Sequence, residues 1–262
     1  MTPSDLPLGI PGDDRGLLLG DGLFETLLAV DGTLVAMDAH LDRMAAGCAL
    51  LGLPLPDRRE AARLMREALD GVTASRAAVR LTLTAGSGGR GLDRPPAPEP
   101  RLFATATTAA APVGPARLRL VGVRRNEGSP ASRLKTLAYL DNVLARVEAQ
   151  AAGADEAVML NNRGELACAA AANLFWLRDG ALETPALDCG ALAGIVRATV
   201  IARARAMGIE VREVRSGAEV LVAAEALFLT NSLIGVRPVR GLVGRSFAPH
   251  PLVAALAAGV AS

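Results

Sequence analysis

The sequence predicts an α/β protein of the α+β type, divided into two domains. Strand-like and helix-like runs both occur along its 262 residues. With 51% hydrophobic residues, the chain can bury either one large core or two smaller ones. The segment TTAAAPVGPA at 107–116 has the proline, glycine and alanine content of a linker. We therefore predict an N-terminal α/β domain over residues 1–112 and a C-terminal domain over residues 113–262.

The N-terminal domain is predicted to begin with a hairpin and two helices. In GLFETLLAVDGTLVAM, two strand-like runs flank Asp31 and Gly32, a pair typical of a tight turn. Asp38 is the predicted N-cap of the first helix, and a second helical pattern runs from residue 57 to 70. The apolar residues of the first helix follow helical spacing and are Leu41, Met44, Cys48 and Leu51.

A strand and a glycine-rich loop follow. The run AAVRLTLTA has strand composition, and GSGGRG at 86–91 comes directly after it. Because this loop lacks the GK[ST] ending of a nucleotide-binding P-loop, a turn between strands is a better interpretation than a phosphate site. The proline-rich stretch 94–100 predicts a further loop.

The C-terminal domain is predicted to be rich in strands. A strand near 117–124 precedes a helix that starts at Lys135 and carries on one face Leu137, Leu140, Leu144 and Val147. The runs EAVML, ELACAA, NLFWLR and ALETP predict strands joined by the turns NNRG and DG. A helix over 194–207 ends at Gly208, which suits a left-handed cap, and IEVREV, ALFLT and VRPV predict the last strands.

Composition narrows the functional classes. The net charge is +1 and both signs are mixed along the chain, so we expect no nucleic-acid partner. No apolar run approaches the roughly 18 residues of a spanning helix, and the N-terminus does not resemble a signal peptide, so we expect no membrane partner and a cytoplasmic location. Three cysteines and two histidines lack the spacing of a metal site or disulfide framework, and the absence of a GxSxG motif argues against a serine hydrolase.

Lys135 is the one lysine in the sequence, although lysine and arginine together number 28. Arginine stays protonated, whereas a lysine amine can lose its proton and attack a carbonyl carbon. Lys135 is therefore the leading catalytic candidate, forming a Schiff base with a carbonyl substrate or with pyridoxal phosphate. The alternative is a compositional bias that left one lysine on a solvated helix.

Six fragments, spread over most of the chain from residue 20 to residue 239, occur in a recognisable order. They are GDGLFET at 20–26, HLDRM at 40–44, SRLKTLAYLDNVLAR at 132–146, AANLFW at 171–176, LAGIVR at 192–197 and LTNSLIGVRPV at 229–239. In this order they resemble the fold-type IV pyridoxal-phosphate enzymes, a family that includes branched-chain and D-amino-acid transaminases and aminodeoxychorismate lyase. The resemblance implies a smaller N-terminal domain, a larger C-terminal pseudo-barrel domain that carries the lysine, and pyridoxal 5′-phosphate in the cleft between them. It also implies a small-molecule amino substrate and a homodimer.

The resemblance implies a role for several residues. Lys135 forms the Schiff base with the cofactor aldehyde and then moves protons at the substrate carbon. Arg43 holds the cofactor phosphate, with an exposed helix arginine as the alternative. The backbone amides of Ile195 and Val196 form a phosphate cradle, in agreement with the unpaired N–H groups of a helix N-terminus. Ser232 contacts the same phosphate, with an ordinary turn serine as the alternative.

Two assignments concern other parts of the site. Tyr139, placed one helical turn beyond Lys135 in the predicted helix, matches a tyrosine that contacts the cofactor hydroxyl in relatives. Arg90 in the glycine-rich loop is assigned to a substrate carboxylate, because the arginine fork suits that group. Arg237 has the same chemistry, and a solvated or structural arginine is the alternative for both.

One position departs from the family pattern. Relatives place a glutamate five residues before the asparagine of the NLF motif, where its carboxylate pairs with the protonated ring nitrogen, and this position holds Cys168. Glu165 cannot replace it, since residues three apart in a strand point to opposite faces unless a bulge intervenes. Cys168 is predicted to lie at the ring nitrogen, giving either a thiolate paired with a protonated ring or a neutral ring that withdraws electrons less strongly. A small core residue is the alternative.

Three functions follow from the resemblance. LTNSLIGVRPV and NLFW most resemble the aminodeoxychorismate lyase branch, which converts 4-amino-4-deoxychorismate to 4-aminobenzoate and pyruvate for folate synthesis. A class IV transaminase acting on D-amino or branched-chain amino acids is the first alternative, because both reactions begin with proton removal by Lys135. A cofactor-binding protein with little catalysis is the second.

Overall fold

The computed structural model describes residues 9–111, 113–242 and 244–260. Its contacts divide the chain into two compact units. The N-terminal unit contains the residues up to Ala110 together with Lys135–Ala138. The C-terminal unit contains Ala111–Leu134 and the residues from Tyr139 onward.

The N-terminal unit is a four-stranded antiparallel sheet with helices, an α/β arrangement as predicted. The strands lie in the order β2–β1–β3–β4. The elements are α1 (Arg15–Leu19), β1 (Gly22–Val30), β2 (Thr33–Leu34), α2 (Met37–Leu51), α3 (Arg58–Leu69), β3 (Arg76–Thr84) and β4 (Arg101–Thr108).

The predicted hairpin between β1 and β2 is confirmed. Asp31 and Gly32 have φ values of 47° and 76°, the left-handed conformation that a two-residue turn of this kind requires at both positions. The predicted helix over 57–70 is confirmed as α3. Its N-cap is Asp57, whose carboxylate accepts hydrogen bonds from the next amides in the helix.

Two details of this unit differ from the predictions. Asp38 is not the N-cap of α2, because the helix already begins at Met37 after a left-handed Ala36, and Asp38 lies in the first turn. A carboxylate there still interacts favourably with the helix dipole. Strand β4 was not predicted, since RLFATATT lacks the strong apolar and polar alternation that identifies a half-buried strand.

The C-terminal unit is built on a nine-stranded mixed sheet. Its strands lie in the order β10–β9–β8–β11–β12–β5–β6–β7, with β13 on β12. The elements are β5 (Ala116–Leu120), α4 (Pro130–Arg133), α5 (Leu140–Ala151), β6 (Glu156–Leu160), β7 (Leu166–Ala169), β8 (Asn173–Arg178), β9 (Ala181–Pro185), α6 (Ile195–Ala206), β10 (Val211–Val214), α7 (Glu219–Ala223), β11 (Ala226–Asn231), β12 (Gly235–Leu242), β13 (Arg245–Ser246) and α8 (Pro251–Ala257).

Both faces of this large sheet are covered. Leu174 and Trp176 of β8 belong to one buried cluster, whereas Phe175 and Leu177 belong to another. Because successive strand residues point to opposite faces, the run NLFWLR contributes to two separate cores. The predicted strands EAVML, NLFWLR and ALETP are confirmed as β6, β8 and β9.

Helix α5 differs from its prediction in position, and its apolar side does not face the core. It begins at Leu140 rather than at Lys135. Its apolar side is exposed to solvent, and the exposed fractions are 68% for Leu140, 53% for Val143, 49% for Leu144 and 55% for Val147. The buried side consists of Asn142, Ala145 and Ala149, because small side chains allow a close approach to the neighbouring sheet. We call the four exposed residues the α5 apolar face.

Within the described ranges, no helix is both long enough and apolar enough to cross a bilayer. Cys48, Cys168 and Cys189 are buried and have free thiols.

Candidate active site

Lys135 lies in a short non-helical segment that is hydrogen-bonded to β1, and not at the start of a helix as predicted. The backbone amide of Phe24 donates to the carbonyl of Lys135 at 2.9 Å, and the amide of Leu137 donates to the carbonyl of Gly22 at 3.0 Å. Thr136, between them, forms a bridge with Leu23. These hydrogen bonds to β1 replace helical ones, so the main chain of the lysine is fixed as in a sheet.

Gly22 makes this pairing possible. A Cβ atom at this position would lie 2.2 Å from the carbonyl oxygen of Leu83 and 2.8 Å from the side chain of Leu137. Both distances are too short for real atoms, so only glycine allows β3 and the lysine segment to approach β1 together.

The amine of Lys135 lies against an aromatic ring. Its Nζ is 4.1 Å from the ring centroid of Phe24, and the guanidinium carbon of Arg80 is 3.7 Å from the same centroid. Both distances are those of cation–π contacts. Phe24 belongs to β1 and Arg80 to β3, so the two strands together place two cations on one buried ring.

Burial lowers the pKa of Lys135 from 10.5 to about 8, and the positive charges of Arg43 and Arg80 lower it further, whereas the negative charge of Glu25 opposes the shift. About one tenth of the amines are therefore unprotonated at pH 7. An amine of this kind can attack an aldehyde and can also carry a proton, which is the chemistry that the sequence assigns to Lys135.

Arg43 lies on α2 and binds a buried carboxylate on β1. Its Nε donates to Oε1 of Glu25 at 2.8 Å, and its Nη2 donates to Oε2 at 2.6 Å. His40, one helical turn before Arg43, contacts Oε2 through Nδ1 at 2.7 Å. No role was predicted for Phe24, Glu25 or His40, although the fragments GDGLFET and HLDRM contain them.

The N-terminus of α6 in the C-terminal unit has the properties of an anion site. Its N-cap is Gly194, no side chain caps it, and its first turn contains no acidic residue. The amides of Ile195 and Val196 therefore lie in a field that favours a negative charge. A Cβ atom at Gly194 would lie 2.0 Å from Oδ1 of Asn173, so a larger residue there would require the Asn173 side chain to move.

Ser232 follows the strand that pairs with Asn173. Thr230 of β11 lies opposite Asn173 in the sheet, and its buried hydroxyl has no hydrogen-bond partner within the described residues. Oδ1 of Asn231 accepts hydrogen bonds from the amides of Leu233 and Ile234, both at 2.9 Å, which fixes the turn that contains Ser232. The unsatisfied Thr230 hydroxyl and the N-terminus of α6, which no side chain caps, fit a phosphate group.

Cys168 lies on β7 opposite Met159 and is buried. Burial raises the pKa of its thiol to about 11, although the charge of Arg125 opposes this shift. The thiol is therefore neutral at neutral pH, which disfavours the thiolate alternative. Glu165 accepts hydrogen bonds from Asn161 and Arg163 in the turn before β7, at 2.7 and 3.0 Å.

Three other candidate residues have positions and contacts that bear on their predicted roles. Tyr139 is the N-cap residue of α5, so it does not follow Lys135 by one turn of a common helix. Arg90 is exposed in the loop over 86–91, where its carbonyl accepts from the amide of Asp93 at 3.0 Å. Arg237 donates from Nε to the carbonyl of Gly114 at 3.0 Å, a structural contact within its own unit.

Comparison with known proteins identifies relatives over most of the chain. The sequence model of the amino-transferase class IV family matches residues 22–242. A candidate branched-chain-amino-acid aminotransferase of Methanocaldococcus jannaschii is 34% identical over 238 residues, which cover 88% of this chain and 82% of that protein. The aminodeoxychorismate lyase of Bacillus subtilis is 27% identical over 230 residues, covering 86% and 78% of the two chains. The crystal structure of 4-amino-4-deoxychorismate lyase from Pseudomonas aeruginosa superimposes with a TM-score of 0.87 at 30% identity, covering 95% of this chain and 93% of that one.

Proposed function

The chain belongs to the class IV aminotransferase family, whose enzymes depend on pyridoxal 5′-phosphate, and we propose that it is an aminodeoxychorismate lyase. The reaction would convert 4-amino-4-deoxychorismate to 4-aminobenzoate and pyruvate. The C–H bond at the amino-bearing carbon and the C–O bond to the enolpyruvyl group break, and the departing enolpyruvate takes up a proton to become pyruvate. The remaining ring becomes aromatic, so the atoms balance without a further reactant.

Lys135 is the residue that would perform the proton transfer. When bound, pyridoxal phosphate withdraws electrons from the carbon that carries the substrate's amino group. Lys135 would hold the cofactor through its amine and, once released, would take the proton from that carbon. A pKa of about 8 supports this role, because the amine can both lose and regain a proton near neutral pH.

Other residues would hold the cofactor in place. In the N-terminal unit, the guanidinium of Arg43 would bind the phosphate. In the C-terminal unit, Ser232 and the amides of Ile195 and Val196 would do so. Tyr139 and Cys168 remain predicted contacts of the ring hydroxyl and the ring nitrogen.

A neutral thiol at Cys168, the position predicted to face the ring nitrogen, supports a lyase over a transaminase. Where a carboxylate faces the ring nitrogen, it keeps the ring protonated, and a neutral thiol cannot do this. The cofactor would then withdraw electrons less strongly. A reaction that forms an aromatic product and expels pyruvate tolerates this better than a reversible amino transfer, since aromatisation itself lowers the energy of the product.

Arg80 supports a substrate that carries carboxylates. Its guanidinium shares the Phe24 ring with the amine of Lys135, and aminodeoxychorismate has two carboxylates. We propose that Arg80 binds one of them, with Arg90 as the alternative from the sequence.

A class IV transaminase is the second candidate. The 34% identity to the candidate branched-chain-amino-acid aminotransferase of Methanocaldococcus jannaschii favours it. Proton removal by Lys135 would be the same, and the proton would then be redelivered instead of a group being expelled.

One assay separates the candidates. Purified holoprotein is given aminodeoxychorismate without a 2-oxo acid, and in parallel a panel of D- and L-amino acids with 2-oxoglutarate. We expect equal amounts of pyruvate and 4-aminobenzoate from the first mixture, and none with Lys135→Ala. Amino transfer that requires the 2-oxo acid would instead identify a transaminase. A yellow protein that processes neither substrate set would refute both.

We also propose that the protein is a homodimer. The α5 apolar face is a continuous stripe of four large apolar side chains on one side of a helix. Exposed apolar stripes of this kind mark protein interfaces, because burial of each large side chain is favourable. A second copy of the chain is the proposed partner.

A further inference from the structure

Glu25 is a buried carboxylate held by two cationic or protonatable side chains. Its side chain is 1% exposed and lies on β1, directly after Phe24. One oxygen accepts from Nε of Arg43, and the other accepts from Nη2 of Arg43 and contacts Nδ1 of His40, all at 2.6–2.8 Å. Burial alone would raise the pKa of Glu25, but the hydrogen bonds from Arg43 and His40 outweigh it, so the pKa is lowered and the group is ionised.

This arrangement fixes the orientation of Arg43. Two nitrogens of its guanidinium donate to the two oxygens of one carboxylate, a planar geometry that holds the group rigidly. Because an ionised carboxylate only accepts hydrogen bonds, Nδ1 of the buried His40 must be the donor. The histidine therefore restrains the carboxylate, and the carboxylate restrains the arginine.

The same carboxylate lies within electrostatic range of Lys135. The charged groups that act on the amine come from three elements, Glu25 on β1, Arg43 on α2 and Arg80 on β3. Phe24, the neighbour of Glu25, holds both the carbonyl and the amine of Lys135. Glu25 supplies the negative charge in this group, and it balances the two arginines.

We propose that Glu25, restrained by His40, is a positioning residue for the lysine site: it fixes the Arg43 guanidinium in one orientation and offsets the positive charge around the reacting amine. The positioning role of Glu25 rests on the proposed function only in that Lys135 is the reacting amine. It applies equally to a lyase and to a transaminase. Without Glu25, the positive charges of Arg43 and Arg80 would act on the amine without the opposing effect of this carboxylate.

The test measures the amine directly in the full-length, cofactor-free protein. Trinitrobenzenesulfonate reacts only with unprotonated amines, and the chain has one lysine, so labelling of the Lys135 peptide against pH gives the midpoint of that amine. The wild-type midpoint is expected at about 8. Because no substrate or cofactor is present, a failed lyase assay does not affect this measurement.

Glu25→Gln removes the negative charge and nearly preserves the shape of the side chain. We expect the midpoint to fall by about one unit, so that labelling at pH 7 becomes severalfold faster. The double variant Glu25→Gln with Arg43→Gln removes one charge of each sign and should return the midpoint toward the wild-type value. An unchanged or higher midpoint in the folded single variant would overturn the proposal.

Two further variants separate this effect from stability. Glu60→Gln makes the same chemical change in an exposed ion pair with Arg63 and should leave the midpoint unchanged. If Glu25→Gln does not fold, Arg43→Gln alone provides the test. It removes a positive charge, so the midpoint should rise, and a midpoint that stays the same would equally overturn the proposal. A purely structural role of Glu25 would change the melting temperature of the variants but not these midpoints.

Discussion

Replacing Lys135 by methionine should stabilise the cofactor-free protein while removing its reactive amine. The pKa of the amine falls from 10.5 to about 8 on folding. At 1.36 kcal/mol per pH unit, this difference in pKa means that burial of the charged amine destabilises the folded protein by at most about 3 kcal/mol. Lys135 is partly exposed, so solvent screening reduces the effect, and we expect a gain of about 1–2 kcal/mol at pH 7.

The stability that Lys135→Met gains over the wild type depends on pH. Below pH 8 the amine is protonated in both the folded and the unfolded chain, so the folded state carries the full cost of a buried charge. Between pH 8 and 10.5 the unfolded chain binds more protons, and the stability of the wild type rises with pH relative to the variant. Above pH 10.5 both states are neutral and the cost has disappeared.

Urea unfolding followed by circular dichroism at pH 7 and pH 10 measures the difference in free energy of unfolding between Lys135→Met and the wild type. Arg66→Met on the exposed side of α3 is the control and should show no pH-dependent gain. A Lys135→Met variant that is less stable than the wild type at pH 7, or a stability difference that is the same at both pH values, would contradict this prediction.

Three other substitutions test the site and the assembly. In steady-state kinetics, Arg80→Met should lower kcat/KM for aminodeoxychorismate by about tenfold or more, because a charged hydrogen bond to a substrate carboxylate is lost. Arg90→Met should change kcat/KM little. A larger loss in Arg90→Met than in Arg80→Met would identify Arg90 as the carboxylate partner instead. Cys168→Glu should shift the absorption spectrum of bound pyridoxal phosphate and change turnover, and an identical spectrum and rate would show that residue 168 does not reach the ring. Val143→Glu on the α5 apolar face should convert the proposed dimer to a monomer, as measured by analytical ultracentrifugation. The control Val222→Glu, at an exposed position on α7, should leave the dimer intact. Equal sedimentation of the two variants would exclude the α5 apolar face as the interface.

Local patterns were sufficient for the elements that depend on local interactions. The turn at Asp31 and Gly32 requires left-handed conformations that the two residue types favour, and α3 starts at an aspartate that caps its own helix. The strands of the C-terminal sheet were also predictable, since NLFWLR and EAVML each contain four consecutive apolar residues. Such runs indicate strands buried on both faces.

Helical spacing did not show which side of α5 faces the core. An apolar stripe usually faces inward, and for α5 the small residues do so instead because the helix packs closely on its sheet. Nor could spacing show that the lysine segment leaves the helix to pair with β1, since that pairing joins residues far apart in the sequence. The contacts among Glu25, His40 and Arg43 were missed for the same reason, although the two fragments that contain them were recognised.

The pairing of the lysine segment with β1 also determines at which stage of folding the Lys135 amine becomes an effective nucleophile. Residues 24 and 135 must meet before the amine is enclosed against Phe24. In the unfolded chain, an amine with a pKa of 10.5 is almost wholly protonated, and folding increases its unprotonated fraction at pH 7 by about 300-fold. In a nascent or misfolded chain the Lys135 amine is therefore much less reactive toward aldehydes, and its reaction with the cofactor is favoured in molecules that have completed their tertiary structure.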